Sequence, residues 1–370
     1  MNILGTNIIS SLGFATDENF DAVKQGISGI KHYDVDTLGL PEAFMGSLIN
    51  KEKLNDEFVM VSSANNYTNL DKAAILSIIF ANKEANIDLS NERTIFILST
   101  TKGNIDSLNE INESYMFLWH TADLIVNFFR NKNTPIIVSN ACISGAAAQI
   151  AAMRALQSEK YDNAVVIGVD FLSKFIISGF QSLKALSTEL CKPFDKERAG
   201  LNLGEASATI IFSKEDITGV RLMAGAVRND SNHISAPSRT GEGSYRALKS
   251  ILHSIDIAEI SFVNAHGTAT PYNDQMETIA INRAGLANVP VNSLKAYFGH
   301  TLGAAGVLES IISMRALEEI MVLKSMNFTE QEFENPIHIA MENHTSDKKY
   351  FVKLLSGHGG VNAALLFSRN

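Results

Sequence analysis

The sequence is poor in cysteine, proline and tryptophan. Of its 370 residues, 2 are cysteine, 7 are proline and 1 is tryptophan. The two cysteines, Cys142 and Cys191, are too few for a disulfide framework, and no CxxC pair or Cys/His ligand spacing indicates a metal site. We therefore expect a reducing compartment, the cytoplasm, and no metal ion.

Basic charge and long apolar runs are scarce as well. The chain has 31 Lys and Arg against 40 Asp and Glu, a net charge of -9, and no basic cluster to bind nucleic acid. The first stretch, MNILGTNIISSLG, lacks the basic start and apolar core of a signal peptide. Charged residues interrupt every longer apolar run before it reaches membrane-spanning length. The sequence predicts no nucleic-acid partner, no export and no membrane span.

Short apolar runs rich in β-branched residues alternate with longer helical stretches, which predicts an α/β fold with largely buried sheets. The first series of candidate strands is NILGTNII, TIFILST, PIIVSNA, AVVIGVDF and ASATIIFS. The second is VRLMAGAV, ISFVNAH, PVNSLK, YFVKLLSG and NAALLFS. Candidate helices are DKAAILSIIFANKEA, GAAAQIAAMRALQS and AAGVLESIISMRALEEI. A polar, turn-like segment, SKEDITG, separates the two series and predicts two comparable halves, residues 1–215 and 216–370.

Cys142 lies in IIVSNACISGAAAQIAAMRAL, between a predicted strand ending at Asn140 or Ala141 and a helix from about Ser144. A nucleophile held in such a sharp strand-to-helix turn is exposed to substrate. The N–H groups and dipole of a helix N-terminus favour a thiolate and can also bind an oxyanion. Small residues from Gly145 onward would let the helix pack closely without covering the sulfur. A buried core cysteine is the alternative that this stretch alone leaves open.

Two histidines lie in similar settings. His266 ends the apolar run of FVNAHGTATPYND, and His300 follows Lys295 in VNSLKAYFGHTLGAAGVLE, before a helix rich in small residues. A cysteine nucleophile usually works with a histidine. We expect both imidazoles to point from strand ends into one cleft with Cys142.

Five segments in order resemble the motifs of β-ketoacyl-[acyl-carrier-protein] synthases, the condensing enzymes of fatty-acid and polyketide synthesis. They are VSNACISGA, PFDKERAGLNLGEASA, FVNAHGTATPYNDQMETIA, NSLKAYFGHTLGAAGVLE and SGHGGVNAALLF. The resemblance covers nearly the whole chain and implies the thiolase fold, in which two similar α/β halves form alternating helix and sheet layers. It also implies a homodimer, or a heterodimer with a related subunit, and no bound cofactor, because the substrates are carried on the 4'-phosphopantetheine of acyl carrier protein.

The resemblance assigns roles to individual residues. The implied catalytic group is Cys142, His266, His300 and Lys295, and the implied oxyanion hole is formed by the backbone N–H groups of Cys142 and His358. The implied hydroxyls for the pantetheine arm are those of Thr268 and Thr270. The resemblance also implies that Glu309, Asp195, Arg198 and Glu205 support the site through salt bridges and that Lys184 docks the carrier protein.

The sequence departs from the family in three places. The C-terminal loop reads SGHGG, so that His358 replaces the phenylalanine gate of the usual GFGG. The segment between TIFILSTTKG and Cys142 is shorter than in typical members, where it builds part of the dimer contact and acyl tunnel. SANNYTNLDK offers no positive charge before Lys72, although Lys184 falls on a basic docking position. These differences leave the acyl chain length and type open.

The sequence therefore predicts an acyltransferase that condenses an acyl group held on Cys142 with malonyl-acyl carrier protein. The pathway is either fatty-acid synthesis or a specialised polyene or polyketide route. One alternative is a thiolase acting on CoA esters, which normally uses a second cysteine in the C-terminal half, where this chain has none. The other is a non-catalytic chain-length partner subunit, a class that characteristically lacks the nucleophile.

Overall fold

The computed structural model of the chain describes residues 1–64, 66–106, 113–215, 218–230, 232, 236–253 and 255–369. In these ranges the helices are α1 Thr16–Lys24, α2 Lys51–Val59, α3 Asn69–Ala85, α4 Leu118–Phe128, α5 Ser144–Gln157, α6 Lys174–Ser182, α7 Glu242–Leu252, α8 Pro271–Arg283, α9 Lys295–Phe298 and α10 Ala305–Glu318. None of these helices is both long and apolar enough to cross a membrane.

The strands are β1 Asn2–Ser10, β2 Lys31–Tyr33, β3 Phe44–Ser47, β4 Thr94–Ser99, β5 Ile136–Val138, β6 Asn163–Asp170, β7 Leu203–Gly204, β8 Ala206–Ser213, β9 Val220–Asn229, β10 Ile260–Asn264, β11 Val291–Asn292, β12 Met321–Val322, β13 His344–Thr345, β14 Tyr350–Gly357 and β15 Val361–Arg369. The ten candidate strands of the sequence all form strands. The predicted boundary between the two halves falls at residues 216 and 217, which lie outside the described residues.

Ten strands form one sheet in the order β11-β10-β14-β15-β9-β1-β8-β6-β4-β5. On one side of the centre, β1 pairs with β8 and β8 with β6, both antiparallel. Further out, β6 pairs with β4 and β4 with β5, both parallel. The strands β9, β15, β14, β10 and β11 repeat that sequence of pairings on the other side. The repeated pairing confirms the predicted duplicated α/β architecture.

Helices α5 and α10 form the middle layer of the molecule. They contact each other, and each packs against strands of both halves of the sheet. Of the outer helices, α3 packs against β1 and β8, and α7 packs against β9 and β15. Such a middle helix can have little polar surface, which explains the alanine and glycine of α5 and the almost complete burial of α10.

The repeat gives two turns equivalent positions. β5 leads into α5 through Cys142, and β11 leads into α10 through a segment that contains His300. β10 ends at Asn264, two residues before His266. Because β10 and β11 are parallel neighbours, His266 and His300 emerge from the same edge of the sheet. The fold therefore brings together residues that are up to 158 positions apart in the chain.

Candidate active site

The turn that carries Cys142 is longer than the sequence predicts. Strand β5 ends at Val138, two to three residues before the predicted end, and α5 begins at Ser144 as predicted. Ala141 has a φ of 47°, in the left-handed region that non-glycine residues rarely adopt. The Ser144 hydroxyl accepts a hydrogen bond from the Asn140 N–H at 2.7 Å and donates one to the Ala141 carbonyl at 2.6 Å. These bonds hold Cys142 at the point of a sharp strand-to-helix turn.

Cys142 and the two histidines lie together. Nε2 of His300 is 3.0 Å from Sγ of Cys142, and the rings of His266 and His300 are 5.1 Å apart at 85°. The backbone N–H of Leu302 donates to Nδ1 of His300 at 3.3 Å. Nδ1 is therefore an acceptor, and a neutral His300 carries its proton on Nε2 and donates it to the sulfur. Burial, together with the charge of Lys295, lowers the pKa of both imidazoles well below its ordinary value, so both are neutral at neutral pH.

The thiol is less acidic than its place before a helix suggests. Cys142 is 7% exposed, and burial raises its pKa to about 11, against the opposing charges of Lys295 and Lys102. The expectation of a resting thiolate is thus wrong, because loss of hydration outweighs the helix terminus. The Nε2–H donor of His300 instead stabilises the negative charge as the proton leaves.

Two buried carboxyl groups hold the loop that begins at His266. Glu277 accepts hydrogen bonds from the backbone N–H groups of His266 and Gly267, both at 2.7 Å, and Asp274 accepts one from Thr268 at 3.0 Å. Burial raises the pKa of Glu277 to about 7 and that of Asp274 to about 6. Sequence reasoning missed both acids, although two acids three positions apart in the helix after His266 are a visible signal.

A buried ion-pair network lies behind the histidines. Glu309 forms an ion pair with Lys295 through one carboxylate oxygen and with Lys353 through the other, the second contact at 2.6 Å. Burial alone would raise the pKa of Glu309, but the charges of Lys295 and Lys353 bring it below its ordinary value. Lys295 and Glu309 are identified from the sequence, whereas Lys353 is identified only from the structure.

Two cavities meet at Cys142. The first, of about 380 Å³, is lined by both histidines, by Thr268 and Thr270, and by Lys184 at its exposed end. The hydroxyls of Thr268 and Thr270 are 2.9 Å apart. This cavity is a channel from the surface to the sulfur, lined with hydrogen-bonding groups.

The second cavity, of about 420 Å³, is mostly apolar. It is lined by Phe175, Ile176, Phe180 and Leu183, with Lys102 as its one cationic lysine among the described residues. Phe180 and His358 line both cavities, and their rings are 6.1 Å apart. The side chain of His358 thus lies between the two cavities.

The backbone of the loop that carries His358 lies beside that of Cys142. The backbone N–H of His358 lowers the pKa of the Cys142 thiol, against the effect of burial. A Cβ on Gly357 would lie 3.3 Å from the backbone nitrogen of Cys142, so the two segments are in direct contact. The N–H groups of Cys142 and His358 therefore border the same small space.

The remaining charged positions hold the backbone around the site. Arg198 pairs with Glu332 at 3.3 Å, as a structural salt bridge. Asp195 and Glu205 instead accept hydrogen bonds from backbone N–H groups, which lie at residues 197, 329 and 330 for Asp195 and at residues 49 and 172 for Glu205. Burial raises the pKa of Glu205 to about 7.

Cys142, His266 and His300 also form a group whose ligand atoms all lie within 4.8 Å of one another, a spacing that a metal ion could bridge. Sulfur and imidazole nitrogens are ligands that Zn²⁺ accepts. Two of these groups already share the hydrogen bond from Nε2 to Sγ, which is the pairing of an activated nucleophile. We therefore interpret the trio through acyl-transfer chemistry.

Sequence profiles of one family match both halves of the chain. The profile described as "Beta-ketoacyl synthase, N-terminal domain" matches residues 100–216, and "Beta-ketoacyl synthase, C-terminal domain" matches residues 220–329. Together they cover more than half of the chain. The chain belongs to the β-ketoacyl synthase family. The predicted family and its class of activity, a condensing acyltransferase, are confirmed.

Curated relatives of this ketosynthase agree. The 3-oxoacyl-[acyl-carrier-protein] synthase 2 of Vibrio cholerae is 25% identical in a gapped alignment of 410 positions, which covers 99% of this chain and 98% of the relative. The enzyme of the same name from Mycobacterium leprae is 30% identical in a gapped alignment of 253 positions, which covers 63% of this chain and 60% of that protein.

Solved structures confirm the predicted thiolase-like fold of this ketosynthase. A β-ketoacyl synthase from Burkholderia phymatum superimposes with a TM-score of 0.88 at 23% identity, over 100% of this chain and 98% of that one. A ketosynthase in complex with its chain length factor from Xenorhabdus doucetiae gives a TM-score of 0.83 at 24% identity, over 100% and 97%.

Proposed function

We propose that this ketosynthase is itself catalytic and condenses an acyl group held on Cys142 with a malonyl thioester. The observation that carries the proposal is the hydrogen bond of 3.0 Å between Nε2 of His300 and Sγ of Cys142, with the imidazole of His266 beside it. A chain-length partner subunit has no need of this complete trio. A thiolase would need a second cysteine at the site, and Cys191 is not among the residues that line the first cavity.

In the first step the sulfur of Cys142 attacks the carbonyl carbon of an acyl thioester. A new S–C bond forms as the old S–C bond breaks, and the proton of the Cys142 thiol passes to the pantetheine sulfur, which leaves as a thiol. The N–H groups of Cys142 and His358 bind the oxygen of the tetrahedral intermediate. The acyl chain lies in the apolar cavity, and the pantetheine arm in the channel with Thr268 and Thr270.

In the second step malonyl thioester occupies the channel and loses carbon dioxide. The C–C bond breaks, and its electron pair forms an enolate whose oxygen accepts hydrogen bonds from His266 and His300. The enolate carbon attacks the acyl carbon, the sulfur of Cys142 leaves as a thiolate that takes up a proton from solvent, and a 3-oxoacyl thioester results. His266 lines the channel, so its imidazole borders the space that the malonyl thioester occupies. The side chains need no bound cofactor for these steps.

The partners follow from the same geometry. Acyl carrier protein would dock where Lys184 borders the open end of the channel. A second subunit, identical or related, would cover β5, an edge strand of the large sheet, and the second cavity, where Phe175 and Leu183 are exposed.

Both cysteines are free thiols, which fits the cytoplasm as the proposed location. The polar groups of Lys102 and His358 at the acyl cavity favour a specialised polyene or polyketide chain over a plain saturated one.

One preparation tests the proposal. Purified protein is incubated with acyl-carrier-protein thioesters of several lengths, and the intact chain is weighed. We expect an acyl adduct that is absent from Cys142→Ala and that malonyl-acyl carrier protein discharges as a 3-oxoacyl product. If no donor leaves an adduct, while a known ketosynthase is loaded under the same conditions, the chain is a partner subunit.

A further inference from the structure

Lys353 is a lysine in the interior of the protein. It lies in the middle of β14, in YFVKLLSG, and is 0% exposed. In the register of the sheet it is opposite Asn264, the last residue of β10. A fully buried ammonium is costly unless its charge and all its donors are satisfied. The surroundings of this side chain should therefore show why it is there.

Four oxygen atoms surround the ammonium of Lys353. One belongs to Glu309, whose Oε2 is 2.6 Å from Nζ. The others are the backbone carbonyl oxygens of Leu354 at 3.1 Å, Ala265 at 3.2 Å and Asn264 at 3.4 Å. The side chain thus bridges two strands and a helix, since Glu309 lies in α10.

Two of these carbonyls precede His266 directly in the chain. The ammonium therefore fixes the backbone from which the imidazole of His266 projects, while Glu277 holds the N–H groups on the other side. Through Glu309, the same ammonium is linked to Lys295. The hydrogen bond between His300 and Cys142 does not involve this network directly.

We propose that Lys353 is a positioning residue that fixes the place of His266 by holding the end of β10 to Glu309. The inference rests on the proposed function, because it assigns His266 a part in decarboxylation. It predicts that loss of the ammonium affects the decarboxylation step, which needs His266, more than the loading of Cys142, whose sulfur bonds to His300.

The test compares Lys353→Met with the wild type. Methionine keeps an unbranched apolar side chain but removes the charge and the donors. Lys349→Met makes the same chemical change at an exposed lysine just before β14 and is the matched control. Acyl loading of the cysteine is followed by intact mass, and malonyl decarboxylation by release of carbon dioxide. Circular dichroism reports the folded fraction.

We expect Lys353→Met to lower decarboxylation about 10- to 100-fold, as a small misplacement of a reacting group does, and to change loading less than about threefold. Lys349→Met should leave both steps unchanged. Wild-type decarboxylation in Lys353→Met, or equal losses in both steps, would overturn the inference. If Lys353→Met does not fold, Lys353→Gln, which keeps hydrogen-bond donors, serves for the same comparison. A wild-type protein that does not load refutes the proposed function instead.

Discussion

A methyl group added at Gly145 would force apart the two helices that follow Cys142 and His300. A Cβ at this position would lie 2.8 Å from the backbone nitrogen of Val307, 2.9 Å from Cα of Gly306 and 3.0 Å from another backbone oxygen. Ordinary van der Waals contact begins at 3.4 Å, and none of these atoms is the end of a flexible side chain. We therefore expect α5 and α10 to separate by about 0.6 Å.

The change in the free energy of unfolding caused by Gly145→Ala has two contributions with opposite signs. Overpacking in a tight core destabilises by about 1–3 kcal/mol, and the better helix propensity of alanine returns up to about 1 kcal/mol. The net loss, up to about 3 kcal/mol, should therefore lower the thermal midpoint of unfolding by up to about 4 °C. The gap between Nε2 of His300 and Sγ of Cys142 should widen, and the loading rate should fall about tenfold.

The assay pairs thermal unfolding with timed intact-mass measurement of acyl loading. Gly179→Ala is the control for stability, because Gly179 lies inside α6 and a Cβ there would meet nothing within 4 Å. That variant should unfold at the wild-type temperature or higher. Wild-type loading and an unchanged midpoint in Gly145→Ala would refute the claim that the close helix contact sets the site geometry.

Three further predictions concern the site itself. Because burial raises the pKa of Cys142 to about 11, alkylation by iodoacetamide should quicken about tenfold per unit between about pH 7 and pH 10. A rate already at its plateau near pH 7 would mean a resting thiolate. His300→Ala removes the donor to the sulfur and the enolate, so malonyl decarboxylation should fall about 10²- to 10³-fold in a carbon dioxide assay. A fall of less than about threefold would contradict that role. His358→Phe should change the relative loading rates of long and short acyl donors, measured in competition. An unchanged ratio would show that the side chain does not control entry.

The sequence was sufficient for the positions of the strands along the chain and for the position of Cys142, because both depend on local patterns. Apolar runs of β-branched residues predicted all ten strands of the large sheet. The packing of alanine and glycine after Cys142 predicted a helix with close neighbours, and Gly145 now has such a neighbour in Gly306.

Environment was harder to predict than position. The pKa of Cys142 depends on how completely the other half of the molecule covers the sulfur, which no local pattern encodes. Lys353 was missed for a related reason: its partners are carbonyls of β10 and a carboxylate of α10, which only the sheet register brings together. The available signal was a lone lysine inside an otherwise apolar strand.

The first strand of the chain, Asn2–Ser10, lies in the interior of the large sheet between β8 and β9. Its main hydrogen-bonding neighbour begins at Ala206, so the ribosome must add almost two hundred residues before that neighbour exists. At a synthesis rate of about 5–20 residues per second, β1 remains without this neighbour for roughly ten to forty seconds. Chaperones that bind extended apolar segments thus have a long opportunity to bind β1.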